Sequence, residues 1–320
     1  MPLDPPIQVL LDFYNRIKPP PGLSIEERRR LAAESTPVLP RSRRPPGLRV
    51  DDHQVAVDGG EITLRVLRPE ELDGPGPGYV FIHGGGWTSG DIDSAESECG
   101  SLAKEVGATV VVVDYRLAPE HKFPVPLLDC LAAYRWVVDE APQLGIDFGR
   151  LVLSGGSAGG NLAAALCLLI RDNALPMPCL QFLDVPALDL SLGSPSATMM
   201  DPEAWLSGAD LAEAVGHYLR TPEDALDPLA SPLLATDLSG LPPAVILVAE
   251  YDPVRDDGER YARRLHEAGV PAAVLRIVTH AHGTYGIQGT LTAGLMRDLR
   301  INALRRAFDG TLIGSPLPLP

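Results

Sequence analysis

Residues 151–165 read Leu-Val-Leu-Ser-Gly-Gly-Ser-Ala-Gly-Gly-Asn-Leu-Ala-Ala-Ala, an apolar strand, a knot of glycines around one serine, and then a helix-forming run. Few folds accept this order. The strand has no polar alternation, so both its faces must be covered, as in the interior of a parallel sheet. The glycines require a tight strand-to-helix turn in which backbones approach closely. The same alternation continues on either side. Strands are expected at 79–83, 109–113, 179–183, 244–249 and 273–278, and helices at 94–106, 126–140, 158–171, 256–268 and about 289–308. That pattern predicts an α/β architecture, a mostly parallel central sheet covered by helices on both faces.

Two stretches depart from it. Residues 1–50 hold helical pieces at 7–17 and 24–34 separated by proline clusters at 19–21, 37–40 and 45–46, a composition that cannot form its own core. They read as an arm lying on the body. After a hairpin expected at 53–58 and 61–68, joined at Asp58-Gly59-Gly60, the body runs to residue 320. It is interrupted at about 187–229 by Pro- and Ser-containing sequence with two short helical patterns. Loops this long are functional elements or lids. One body of residues 51–320 with an accessory element follows, and no internal repeat is present.

Composition excludes several classes. A net charge of −15 and a pI near 4.8 argue against nucleic acid as a partner, because a binder needs clustered cations to displace counterions. The charge is uneven: residues 1–50 carry nine Lys/Arg against five Asp/Glu, net +4, and the remainder 18 against 37, net −19. A basic arm can dock on such an acidic body. The four cysteines have no metal spacing and read as reduced and mostly buried. Met1-Pro2-Leu3-Asp4 lacks a secretory pattern, and the longest apolar run, 162–170, is too short for a bilayer. A cytoplasmic protein with no membrane span is expected. The oligomeric state is left open, a homodimer being admissible.

Within the first motif, Gly155-Gly156-Ser157-Ala158-Gly159 places Ser157 on a turn that exposes its hydroxyl at the carboxyl edge of the sheet, next to a helix N-terminus that favours negative charge. A phosphate loop would need a lysine, and a dinucleotide fingerprint would open the first βαβ unit; neither fits. His83-Gly84-Gly85-Gly86-Trp87 leaves another apolar strand. Glycines there let backbone N–H groups meet the oxyanion of a tetrahedral intermediate, so Gly85, Gly86 and Ala158 are the candidate donors. His83 is expected to brace this loop. An acid and a base should follow in chain order. Strand 244–249 leads into Glu250-Tyr251-Asp252-Pro253 and strand 273–278 into Thr279-His280-Ala281-His282-Gly283. Asp252 is favoured over Glu250, with Asp256 and Asp257 assigned to the next helix. Spacing does not separate His280 from His282.

With these residues assembled, the sequence resembles the hormone-sensitive-lipase-like bacterial carboxylesterases. The resemblance rests on His83–Trp87, on Asp114–His121 with Phe123-Pro124, on Gly155–Ala163, on Leu241–Pro243 and on Tyr251–Gly258. It implies an α/β-hydrolase fold with a helical cap and no cofactor or metal. The cap would be built from residues 1–50 and the insertion at about 187–229. Matched position by position, it makes Ser157 the nucleophile, Asp252 the acid before Pro253, and His282 the base before Gly283, with Gly85, Gly86 and Ala158 at the oxyanion positions. The implied activity is hydrolysis of small-molecule carboxylic esters of short to medium acyl chain through an acyl-enzyme. Amidase or lactonase action shares the same intermediate, and a non-catalytic ligand receptor on this scaffold is the competing reading from another class. Two departures stand out. Position 156, usually Asp in such enzymes, is Gly, and Thr284 stands after His282-Gly283 where an aromatic is usual, a change expected to widen or wet the pocket.

Overall fold

In the computed structural model, which describes residues 2–17, 23–35, 44–198, 205–287 and 289–312, the arm supplies the first two helices, α1 (Pro5–Ile17) and α2 (Ile25–Ser35). The proline clusters at 19–21 and 37–40 and residues 199–204 of the insertion lie outside the described residues. Strands β1 (Leu48–Val57) and β2 (Gly60–Pro69) form the expected hairpin, Val57 facing Gly60 across the turn. The remaining elements alternate: β3 (Gly76–Ile82), α3 (Ile92–Val106), β4 (Thr109–Asp114), α4 (Val125–Glu140), β5 (Ile146–Gly156), α5 (Ala158–Asp172) and β6 (Leu180–Asp184). After the insertion, which carries α6 (Gly208–Tyr218) and short 3-10 turns, come β7 (Ala244–Tyr251), α7 (Arg255–Glu267), β8 (Ala272–Ala281) and α8 (Leu291–Phe308).

The eight strands form one sheet in the order β1-β2-β4-β3-β5-β6-β7-β8, parallel from β4 to β8, with β2 antiparallel to both its neighbours. The interior strands are buried on both faces, β4 being buried from Thr109 through Val113, which explains their unbroken apolar sequence. Helix α5 is apolar on nearly all sides because it is packed against β3, β5, β6 and α4. From β3 the chain moves to one side, to β4, and returns to the other side as β5. The loops leaving β3 and β5 therefore diverge at a topological switch point, where open α/β sheets place their sites.

Candidate active site

Ser157 follows β5 directly, with φ 55° and ψ −118°, a conformation disfavoured for any residue with a Cβ. The strain is held by backbone hydrogen bonds: Ser157 N–H donates to Asp184 O at 2.7 Å, and Asn161 N–H donates to Ser157 O at 3.0 Å. Gly159 is required because a Cβ there would stand 2.1 Å from Ile82 O, so the start of α5 is pressed against the end of β3.

His282 lies just past β8, its Nε2 2.9 Å from Ser157 Oγ and its Nδ1 2.8 Å from Asp252 Oδ2. Asp252, just past β7, is 1% exposed, and its Oδ1 accepts from Val254 N–H at 3.0 Å. A carboxylate can only accept, so Nδ1 carries the proton and Nε2 presents a lone pair to the serine hydroxyl. Glu250 is engaged elsewhere, in a two-pronged pair with Arg276 at 2.7 and 2.8 Å, and that pairing holds its carboxyl below the usual range. His280 is fully buried against Thr284 Oγ1 at 3.1 Å. Asp256 and Asp257 do open α7, as expected, and Asp257 also accepts from the N–H groups of Leu188 and Asp189 at the root of the insertion.

On the opposite wall, Gly85 has φ +116°, and a Cβ on it would meet Ser89 O at 2.1 Å. Gly85 and Gly86 line the cleft beside Ser157, and Ala158 is the first residue of α5. His83 stacks on Tyr115 at 4.3 Å, its carbonyl accepts from Tyr115 Oη–H at 3.0 Å, and burial lowers its basicity. It braces the loop, as its position after β3 suggested. Thr284 does not itself line the cleft: it is 1% exposed, its hydroxyl donates to Ala281 O and accepts from Ala281 N–H, both at 3.0 Å, and the neighbouring Tyr285 lines the cleft.

The cleft encloses about 1230 Å³ and is roofed by α1, α2 and α6. Tyr14 stacks on Trp205 at 4.7 Å, and Arg28 pairs with Glu213 at 2.8 Å. Two residues here escaped notice in the sequence. Arg29 donates from Nε to Thr88 O at 2.7 Å and from Nη2 to Ala118 O at 2.8 Å, and pairs with Glu120; one of three consecutive arginines, it carries no distinguishing signal. Asn161 donates to both Ala187 O and Ala230 O, at 2.7 and 2.8 Å, and so clamps both ends of the insertion. A lone amide in the apolar run 158–170 was its signal. Among the described residues no group of three or more His, Cys, Asp or Glu is placed to hold a metal, and no helix is long and apolar enough to cross a membrane.

A strained serine, an imidazole acceptor and a buried carboxylate at the carboxyl edge of a parallel sheet together have the layout of a serine hydrolase. The chain belongs to the α/β-hydrolase family: the model described as an alpha/beta hydrolase fold matches residues 79–286. It is 38% identical over 290 residues to an arylesterase of Saccharolobus solfataricus, covering 89% of this chain and 93% of that one. To the ethyl acetate hydrolase of Pseudomonas putida it is 37% identical over 270 residues, covering 83% and 85%. The solved hyperthermophilic esterase from the archaeon Pyrobaculum calidifontis superposes with a TM-score of 0.88 at 37% identity, over 95% of this chain and 98% of that one. The resemblance to hormone-sensitive-lipase-like carboxylesterases is borne out, and the chain is a carboxylic ester hydrolase.

Proposed function

We propose that Ser157, His282 and Asp252 hydrolyse short- to medium-chain acyl esters through an acyl-enzyme, with Gly85, Gly86 and Ala158 as oxyanion donors. The observation that carries this reading is the unbroken relay of 2.8 and 2.9 Å from Asp252 through His282 to Ser157 at the floor of the cleft. His282 Nε2 takes the hydroxyl proton as Ser157 Oγ attacks the ester carbon. The oxyanion is met by backbone N–H groups, and the proton is returned to the leaving alkoxide. Water, activated by the same nitrogen, then attacks the acyl-enzyme and releases the acid. Asp252 holds the tautomer and stabilises the imidazolium.

Residues 1–50 and the insertion at 187–229 act as the cap. Arg28 with Glu213 and Tyr14 with Trp205 join these two segments over the cleft. A short acyl group is favoured because the cleft lining includes Arg300 with its ion-pair partners Asp184 and Glu98, a charged surface against which a long alkyl chain gains little. The Pseudomonas putida relative, named for ethyl acetate, agrees with this. The test is initial rates on aryl esters from acetate to palmitate, with matched anilides and lactones. Ser157→Ala should lower ester turnover by a factor on the order of 10⁴ or more and abolish fluorophosphonate labelling, with the fold retained by circular dichroism. Turnover by the Ser157→Ala protein above a few per cent of the parent would refute the assignment, and faster anilide than ester cleavage would make it an amidase.

A further inference from the structure

We propose that Asp184, at the end of β6, is a positioning residue that locks the Ser157 turn to the His282 loop through Tyr285, with Arg300 as its counter-charge. The inference rests on the triad reading above. Its starting point is Gly156, which stands where the family resemblance leads one to expect aspartate.

Gly156 and Asp184 are cross-strand partners at the ends of β5 and β6. The main-chain carbonyl of Asp184 accepts from Ser157 N–H at 2.7 Å, so this residue holds the strained turn directly. Its side chain faces the other loop: Oδ1 accepts from Tyr285 Oη–H at 2.6 Å. Tyr285 is buried in the 3-10 turn Thr284–Gly286, immediately after His282-Gly283. Asp184 thus holds the nucleophile's backbone with one group and the base's loop with another. Arg300 of α8 pairs with the other carboxylate oxygen, also reaches Glu98, and lies 5.4 Å over the Phe182 ring.

The space at position 156 explains the glycine. A Cβ built there meets only the Asp184 Cβ, at 3.9 Å, an ordinary contact, so sterics do not exclude a side chain. Charge does. A carboxylate at 156 would stand beside that of Asp184 in a buried setting, where two like charges repel strongly. The two positions therefore compete for one carboxylate, which in this chain comes from β6. Burial raises the Asp184 carboxyl, and the Arg300 charge and the Tyr285 hydroxyl act to lower it again.

The test uses the full chain with p-nitrophenyl acetate, measuring kcat, KM, the rate of fluorophosphonate labelling and Tm for Tyr285→Phe, Asp184→Asn, Gly156→Asp and the double variant Gly156→Asp/Asp184→Asn. Each single variant should lose kcat by about ten- to a hundredfold with KM within about twofold, since the displaced group acts in the transition state. Labelling should slow in parallel. The double variant, with one carboxylate restored to the site, should recover most of the loss of its worse parent. Tyr285→Phe keeps volume and every charge, and so carries the test even where Asp184→Asn does not fold. Unchanged kcat in Tyr285→Phe, losses that follow Tm alone, or a double variant no better than its parents would overturn the proposal. Any of these in a protein whose Ser157→Ala form is inactive leaves the triad reading intact; an active Ser157→Ala form sinks the triad itself.

Discussion

His280 carries its proton on Nδ1, because the Thr284 hydroxyl already donates to Ala281 O and has only a lone pair to offer. Its Nε2 is buried without a protein partner among the described residues, and burial holds its pKa below the ordinary 6.5. Below pH 6.5 the unfolded chain takes up this proton and the folded chain does not, so stability is lost as pH falls through that window toward the lowered value. His83, also lowered by burial, acts in the same sense. Asp257, pushed up to about 7, acts oppositely, its share being lost as pH rises through that value, but it is common to parent and variant. In thermal melts between about pH 7 and pH 5, the parent should therefore lose more Tm than His280→Gln; equal losses would refute the buried neutral ring. The activity contrast is sharper: His282→Ala should lose turnover by orders of magnitude and His280→Ala far less, both measured on one activated ester. Sequence spacing left these two histidines unseparated because β8 runs to Ala281, three residues beyond its expected end. His280 belongs to the strand and its core, whereas His282 stands where Gly283, with φ +68°, turns the loop.

Elements were legible where burial is complete on both sides and less so at their ends. Strand β4 was read within a residue, since a run of valines has no other use. Strand β5 begins at Ile146 and not at Leu151, because Asp147, Phe148 and Arg150 are only partly covered, Gly149 is exposed, and the four together lack an apolar run. How the insertion joins the body was not legible, since it depends on side chains far apart in sequence. Asn161, on the helix that follows Ser157, holds the carbonyls of Ala187 and Ala230. Asn161→Ala leaves both carbonyls buried and unpaired, at about 1–3 kcal/mol for each group. It should lower Tm clearly in a thermal melt, and an unchanged Tm would show that the insertion is held otherwise. Arg29 does the corresponding work for α2. Its guanidinium joins Thr88 O, which ends the glycine turn, to Ala118 O and Glu120, and Ala118 N–H in turn donates to Trp87 O at 2.9 Å. Arg29→Ala should reduce kcat on a short ester more than it raises KM, because loosening the glycine turn that we propose holds the oxyanion is felt most in the transition state. A pure KM effect would place Arg29 in substrate binding alone.

At the scale of the whole molecule, the charge asymmetry of the sequence becomes a docking arrangement. The arm carries net +4 and the rest −19, and the arm's cations meet the body's anions: Arg28 with Glu213, Arg29 with Glu120 and Arg44 with Glu96. Partly exposed pairs contribute little each, so apolar seating must add to them. Ile7 and Leu11 of α1 are buried, Tyr14 stacks on Trp205, and Asp4 N–H donates to Thr279 O at 2.9 Å, just ahead of the two histidines. Removing residues 1–45 takes α1 and α2 from the roof of the cleft, uncovers Trp205 and frees Thr88, yet takes away none of Ser157, His282 or Asp252. The truncated protein should therefore still be labelled by a fluorophosphonate. Its Tm should fall and its KM rise. Its preference among acyl chains should flatten, because the side of the cleft lined by Tyr14, Ile25 and Leu31 is then open to solvent. Salt should mimic part of the effect in the parent, since ion pairs at a half-exposed seam weaken as the screening length falls to about 3 Å near 1 M, while the truncated form should respond less. Comparing the two proteins on the acetate-to-palmitate series at low and high salt separates the contributions: an unchanged chain-length profile and Tm after truncation would refute the arm as cap, whereas a lost profile with no salt response in the parent would assign its seating to Ile7, Leu11 and the Tyr14–Trp205 stack alone.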